Sequence, residues 1–120
     1  MTTQEPHDLT RLRDSLRQFA ADRDWDQFHS PKNLAMALAV EAAELLERFQ
    51  WMTEEDSKRL PPAELAKVRD EMADVLNYLV RLADKLDVDL LDAARDKVAL
   101  NAQKYPIEKS RGSSKKYSEL

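Results

Sequence analysis

Met36-Ala37-Leu38-Ala39-Val40-Glu41-Ala42-Ala43-Glu44-Leu45-Leu46 is an apolar run broken only by Glu41 and Glu44. A helix apolar on every side is predicted to be buried, and a carboxylate taken out of water is costly unless something positive meets it. These two acids therefore need a partner. The arrangement recurs downstream in Glu71 to Ala83, EMADVLNYLVRLA, where Glu71 and Asp74 interrupt a second apolar helix at the same i, i+3 spacing. Residues three apart share a helix face, so each pair forms a small acidic claw. Two inward-facing claws read first as a site for hard divalent cations. Mg²⁺ prefers octahedral oxygen coordination, keeps several waters, and is shared between a few carboxylates and substrate phosphates. In a competing reading the carboxylates pair with Arg48, Arg69 or Arg81 in a non-catalytic helical module that oligomerises through its apolar faces. The apolar flanks favour the metal, because unpaired buried charge is so unfavourable. A di-iron site is disfavoured: it would use Glu-x-x-His on its helices, and the histidines are His7 and His29.

Working outward, Leu9, Leu12, Leu16 and Phe19 fall on one stripe, predicting a helix from about Asp8 to Asp22. Arg23 to His29, RDWDQFH, has no clear period and reads as a connector carrying two aromatics and a histidine. Ser30-Pro31 supplies an N-cap and a proline at the first helical position, opening the second helix, which runs to about Trp51. Thr53 to Pro62 is a polar linker ending in Pro61-Pro62. A third helix continues to about Leu86 with Leu65, Val68, Met72, Val75, Leu76, Leu79 and Leu82 on a broad apolar face. Asp87 or Asp89 caps a fourth, which must stop near Pro106. Residues 1–106 read as one domain and 107–120 as a polar tail carrying Lys115 and Lys116. No segment alternates as a strand does, so the class is all-α, a bundle of four main helices. Two nearly all-round apolar helices exceed what the rest of a short chain can cover. A homo-oligomer, dimer or tetramer, is expected, with pocket residues drawn from more than one chain.

Composition sets outer limits. With 120 residues, of which 42% are hydrophobic and 35% charged, the chain is long enough for one core. A formal net charge of −4 and no long basic block argue against nucleic acid as a partner. The absence of cysteine removes disulfides and thiolate metal sites. The apolar runs are too short and too rich in carboxylates to span a membrane, and nothing resembles a signal peptide, so a reducing cytoplasm is expected.

Aromatic and basic residues complete the constellation. Trp51 lies seven residues after Glu44, and Tyr78 seven after Glu71, so each is predicted on its carboxylate's face, roughly 10 Å along the helix. Either ring can stack a nucleobase, with Trp25, Phe28 and His29 closing over it; core packing is the plainer use of any one of them. If the two acidic helices are antiparallel, Trp51 and Tyr78 fall on opposite sides of the cluster, and one base reaches both only through a folded-over helix end or another subunit. Lys97, Asn101 and Lys104 share one face of the last helix. Such donors suit a polyphosphate, although lysines there are more commonly a solvated face.

Taken together, these residues resemble a family. Glu41-x-x-Glu44 followed by Glu71-x-x-Asp74 after a helix break is the pattern of the all-α nucleoside triphosphate pyrophosphohydrolases, which include MazG-like proteins and dimeric dUTPases. Arg23 to His29, Glu41-Ala42-Ala43-Glu44, Phe49-Gln50-Trp51, Asp74-Val75-Leu76, Tyr78-Leu79, Tyr105-Pro106 and Ser113 to Tyr117 are similar to the dCTP pyrophosphatase branch, over nearly the whole chain. The resemblance implies Glu41, Glu44, Glu71 and Asp74 as Mg²⁺ ligands. It also implies Trp25, Asp26, Gln27, Phe28, His29, Trp51 and Tyr78 as the base and deoxyribose pocket, and Lys97, Asn101 and Lys104 as phosphate contacts. The implied reaction is hydrolysis of dCTP, or base-modified dCTP, to the monophosphate and pyrophosphate, removing it from the nucleotide pool. The four carboxylates would hold the ion, with water attacking at the α-phosphorus and one carboxylate serving as general base. That branch carries a pocket histidine on the first helix where this chain has Leu16. A dUTPase-like or broad-specificity pyrophosphatase is the alternative within the same chemistry.

Overall fold

A computed structural model describes residues 8–120, so His7 lies outside the described residues. Among the described residues there are six α-helices and no strand. The helices are α1 (Leu9–Asp22), α2 (Pro31–Glu47), a single turn α3 (Glu54–Ser57), α4 (Pro62–Lys85), α5 (Leu90–Lys104) and a second single turn α6 (Ile107–Ser110). Four are long, in accord with the all-α reading. The chain divides into two compact units, one up to Val88 and the other Asp89–Leu120.

Local chemistry sets the starts of these helices. Asp8, Ser30, Thr53 and Asp89 each accept a hydrogen bond from the N–H three residues on, filling one of the donors a helix start leaves open. Asp89, not Asp87, is therefore the cap of α5; Asp87 takes the left-handed conformation, φ 55°, that closes α4. Pro31 and Pro62 occupy first-turn positions where a missing N–H costs nothing. The connector between α1 and α2 folds into a 3₁₀ turn at Asp26–Phe28, and Thr53 to Pro62 carries the extra turn α3.

In the first unit α4 is central, packing against both α2 and α1. Arg48 at the end of α2 meets Glu64 at the start of α4, at 3.5 Å, while Asp26 just before α2 meets Arg81 near the end of α4, at 3.1 Å. Ion pairs at opposite ends make α2 and α4 antiparallel. The buried apolar residues are Ala20 of α1, Leu34 of α2, and Val68, Val80 and Ala83 of α4. Leu34, the largest fully buried side chain, contributes about 2 kcal/mol by its removal from water.

Three expectations are corrected here. Within a single chain α2 is not a buried helix: Leu34 is its one buried residue, while Met36 is 53% and Val40 57% exposed. The broad apolar face of α4 divides likewise, Val68 going inside and Leu65, Met72 and Leu76 staying exposed, because α1 and α2 cover only part of it. The third concerns the end of α2, which stops at Glu47 rather than Trp51. The next N–H groups, of Arg48 and Phe49, bond to carbonyls three residues back and tighten the chain into a turn. Trp51 therefore does not continue the Glu44 face of the helix.

Candidate metal and nucleotide site

Glu41 and Glu44 come from α2 and Glu71 from α4. The antiparallel packing brings one carboxylate oxygen of each to within 4.8 Å of the others. Glu41 Oε2 and Glu71 Oε2 are buried and have no hydrogen-bond partner among the described residues. Desolvation, then the close approach and charge of the Glu44 carboxylate, push the Glu41 carboxyl up to about 7 from its ordinary 4.5. Glu71 is raised as well, first by desolvation and then by the Glu44 charge. Asp74 lies one turn beyond Glu71, outside that triple, yet its charge adds to the upward push on both Glu41 and Glu71.

The arginines do not quench this cluster by direct pairing. Arg48 bonds Glu64, and Arg81 bonds Asp26 and approaches Asp84. An all-oxygen donor set with orphaned, desolvated oxygens on Glu41 and Glu71, and raised proton affinity at those two residues, fits a hard divalent cation, which would replace the protons.

Beside the acids lies a cavity of about 350 Å³ lined by Ser15, Leu16, Phe19 and Ala20 of α1, Trp25 and His29 of the connector, and Asp74, Asn77, Tyr78 and Arg81 of α4. Asp74, Asn77, Tyr78 and Arg81 follow i, i+3, i+4, i+7 spacing, so one face of α4 runs from the acids into the cavity. Trp25 stands edge-on to Phe19, ring centres 5.7 Å apart, and its ring centre lies 6.4 Å from that of His29. This volume and its aromatic walls suit a flat heterocycle.

Of the residues singled out in the sequence, Trp25, His29, Asp74 and Tyr78 line this cavity together. Asp26 instead pairs with Lys85 and Arg81, which hold its carboxyl below the usual range, Lys85 most strongly. Gln27 donates to the Asp24 carbonyl and carboxylate, both at 3.0 Å, and Phe28 is exposed. Trp51 is 90% exposed and absent from the lining. Lys97, Asn101 and Lys104 are exposed on α5 in the second unit. There, Lys104 sits over the ring of Tyr117, which stands edge-on to Tyr105.

Sequence reasoning passed over Arg81 as a wall of the cavity, and Asn77 and Ser15 altogether. The available signal for Arg81 was its place seven residues after Asp74 and three after Tyr78, a cation on the face that carries the site.

The chain is similar to known proteins. Residues 36–120 match the model of the MazG-like family. The chain is 48% identical to dCTP pyrophosphatase 1 of Mus musculus and 46% identical to that of Homo sapiens, each over 115 residues. Those alignments take in 94% of this chain and 66% of each relative, so the chain spans just under two thirds of these curated proteins. A crystal structure of a pyrophosphatase from Archaeoglobus fulgidus superposes with a TM-score of 0.78 at 36% identity, covering 88% of this chain and 99% of that one.

Proposed function

Since the chain belongs to the MazG-like family, we propose that it hydrolyses a nucleoside triphosphate to the monophosphate and pyrophosphate, with dCTP and base-modified dCTP as its substrates. One observation carries the reading: a single face of α4 joins Glu71 and Asp74, beside the orphaned oxygens of the acid cluster, to Tyr78 in an aromatic-walled cavity. An ion and a base can thus be held by one molecule that bridges them. The names of the mouse and human relatives, dCTP pyrophosphatase 1, support the choice of base.

Glu41, Glu44, Glu71 and Asp74 would hold Mg²⁺, which when bound supplies charge neutralisation at the phosphates and Lewis-acid polarisation of the reacting groups. Trp25 and Tyr78 wall the base and fix the direction in which the phosphates leave the cavity, toward the acids. One of the four carboxylates takes the proton from the water that attacks the α-phosphorus. A non-catalytic module paired through Arg48, Arg69 or Arg81 is disfavoured, because Arg48 and Arg81 are engaged elsewhere and no ion pair joins Arg69 to the four acids among the described residues.

The exposed apolar residues give a second part of the proposal. Met36 and Val40 on α2, and Leu65, Met72 and Leu76 on α4, form stripes that a homo-oligomer, dimer or tetramer, would cover. Trp51, exposed beyond the end of α2, reaches a nucleobase when it is supplied by another copy. No helix among the described residues is long and apolar enough to cross a membrane. The cysteine-free chain suits the cytoplasmic nucleotide pool.

The test is a panel of deoxy- and ribonucleoside triphosphates assayed for pyrophosphate release with Mg²⁺ and with a chelator. dCTP should be turned over fastest, and only with the metal. Release of pyrophosphate from none of them would end the reading, while equal turnover of all would replace dCTP by a broad-specificity substrate class.

A further inference from the structure

His29 lines the cavity, and its Nδ1 lies 3.3 Å from Nε and 3.1 Å from Nη2 of Arg81. A guanidinium has N–H donors and no acceptor, so the ring nitrogen that it meets must present a lone pair. In a neutral imidazole the proton then resides on Nε2. Arg81 is only 5% exposed and is tied down on both flanks, Nη2 to Asp26 at 3.1 Å and Nη1 near Asp84 at 3.7 Å. Asp84 is itself gripped by Arg17, and Asp26 by Lys85. No group among the described residues accepts a hydrogen bond from His29 Nε2.

We propose that Arg81 is a positioning residue that holds His29 in its Nε2–H form, giving the cavity a fixed donor for the acceptor edge of a nucleobase. The chemical class this selects is a base with an unprotonated ring nitrogen beside a carbonyl, as N3 and O2 stand in cytosine. Uracil and thymine carry N3–H at that place, and two opposed donors in a desolvated site leave both unsatisfied. Of the other uncharged polar groups of the lining, the Trp25 indole N–H is likewise a donor only, whereas the Tyr78 hydroxyl both donates and accepts. The Ser15 hydroxyl both donates and accepts, and the Asn77 amide offers either end. Leu16 brings no polar group from α1.

The charges facing the imidazole agree. Burial first, and then the positive charge of Arg81 with a smaller part from Lys85, lower the His29 pKa against the opposing pull of Asp26, which keeps the ring neutral at neutral pH. This inference deepens the proposed function and rests on its assignment of the cavity to a nucleobase.

The first test needs no nucleotide. In ¹⁵N-labelled protein at neutral pH, a two-bond proton–nitrogen correlation spectrum, assigned by comparison with His29→Gln, should show Nδ1 unprotonated and Nε2 protonated. The opposite tautomer, a mixture or an imidazolium would overturn the proposal. Arg81→Met should convert the signal to a mixture of tautomers; an unchanged Nε2–H form would overturn the positioning role, and should that variant not fold, the wild-type spectrum still decides.

The second test uses side-chain geometry. The amide nitrogen of Gln reaches the position of Nε2, whereas that of Asn reaches only the position of Nδ1. His29→Gln should leave KM for dCTP within about threefold, His29→Asn and His29→Phe should raise it about tenfold or more, and kcat should stay within about twofold in all three. Equal KM values for Gln, Asn and Phe would overturn the donor. If the protein hydrolyses no triphosphate at all, the proposed function falls, and the tautomer spectrum separately decides what Arg81 does to His29.

Discussion

Glu41 of α2 and Glu71 of α4 meet across the antiparallel seam of those helices, each with its Oε2 buried and unpartnered among the described residues. Two like charges in that position oppose folding unless a cation or protons neutralise them. Replacing Glu41 by Gln, or Asp74 by Asn, should therefore abolish Mg²⁺-dependent turnover while leaving the melting temperature in chelator unchanged or higher. Calorimetry beside a pyrophosphate assay checks this. Variants that unfold in chelator, and recover activity when refolded by osmolyte, would make these acids structural.

The raised proton affinity of Glu41 fixes a pH dependence. The folded protein keeps this proton up to about 7, whereas the unfolded chain releases it near 4.5. Between those values the folded state holds the extra proton, so this group's contribution to stability falls as pH rises, and the loss is complete above about 7. Glu71 acts in the same direction. His29, with its pKa lowered, acts in the opposite direction below its ordinary 6.5. The difference between wild type and Glu41→Gln isolates the acid: in chelator the wild type should lose stability relative to the variant from about pH 5 to about pH 8. Adding Mg²⁺ at the upper end should restore about 2.7 kcal/mol at a hundredfold excess over Kd. A pH-independent difference would refute the coupling.

Arg17 holds Asp84 through Nε at 2.7 Å and through a second bond from Nη2, and Asp84 in turn lies beside the buried Arg81. Its carboxyl is held below the usual range, chiefly by Arg17. Asp84→Asn should cost about 3 kcal/mol in urea unfolding, since it strips a buried guanidinium of one counter-charge. A change below about 0.5 kcal/mol would assign the pair to the solvent-screened class.

Assembly and base contact can be read together. Light scattering at micromolar concentration should report a dimer or tetramer, and Trp51→Ala should raise KM for dCTP by the equivalent of about 1–3 kcal/mol with folding intact. A fully active monomer would remove the oligomer. An unchanged KM would return Trp51 to the solvent-exposed surface.

The capping residues, the prolines and the apolar spacing made α1, α2, α4 and α5 legible, because these are local rules acting within a few residues. The i, i+3 acids were legible for the same reason: pairing within one helix is a matter of spacing. Other features depended on neighbours. Burial of α2 was overestimated, since a sequence of alanine and leucine does not say which side meets α4 and which stays bare. Helical periodicity extended past Glu47 puts Trp51 on the Glu44 face, but there the backbone tightens and turns. Arg81 could be seen as a cation on α4, but its grip on His29 joins residues 52 positions apart and exists only once α2 and α4 have packed.

Hydrolysis of dCTP in ¹⁸O-labelled water, followed by ³¹P NMR, tests the central claim most directly. With Mg²⁺ present the account predicts two products, dCMP carrying the ¹⁸O and unlabelled pyrophosphate, and in chelator none. Formation of dCDP and orthophosphate, or label in the pyrophosphate, would contradict attack at the α-phosphorus, and no turnover of dCTP with the metal present would contradict the assignment itself.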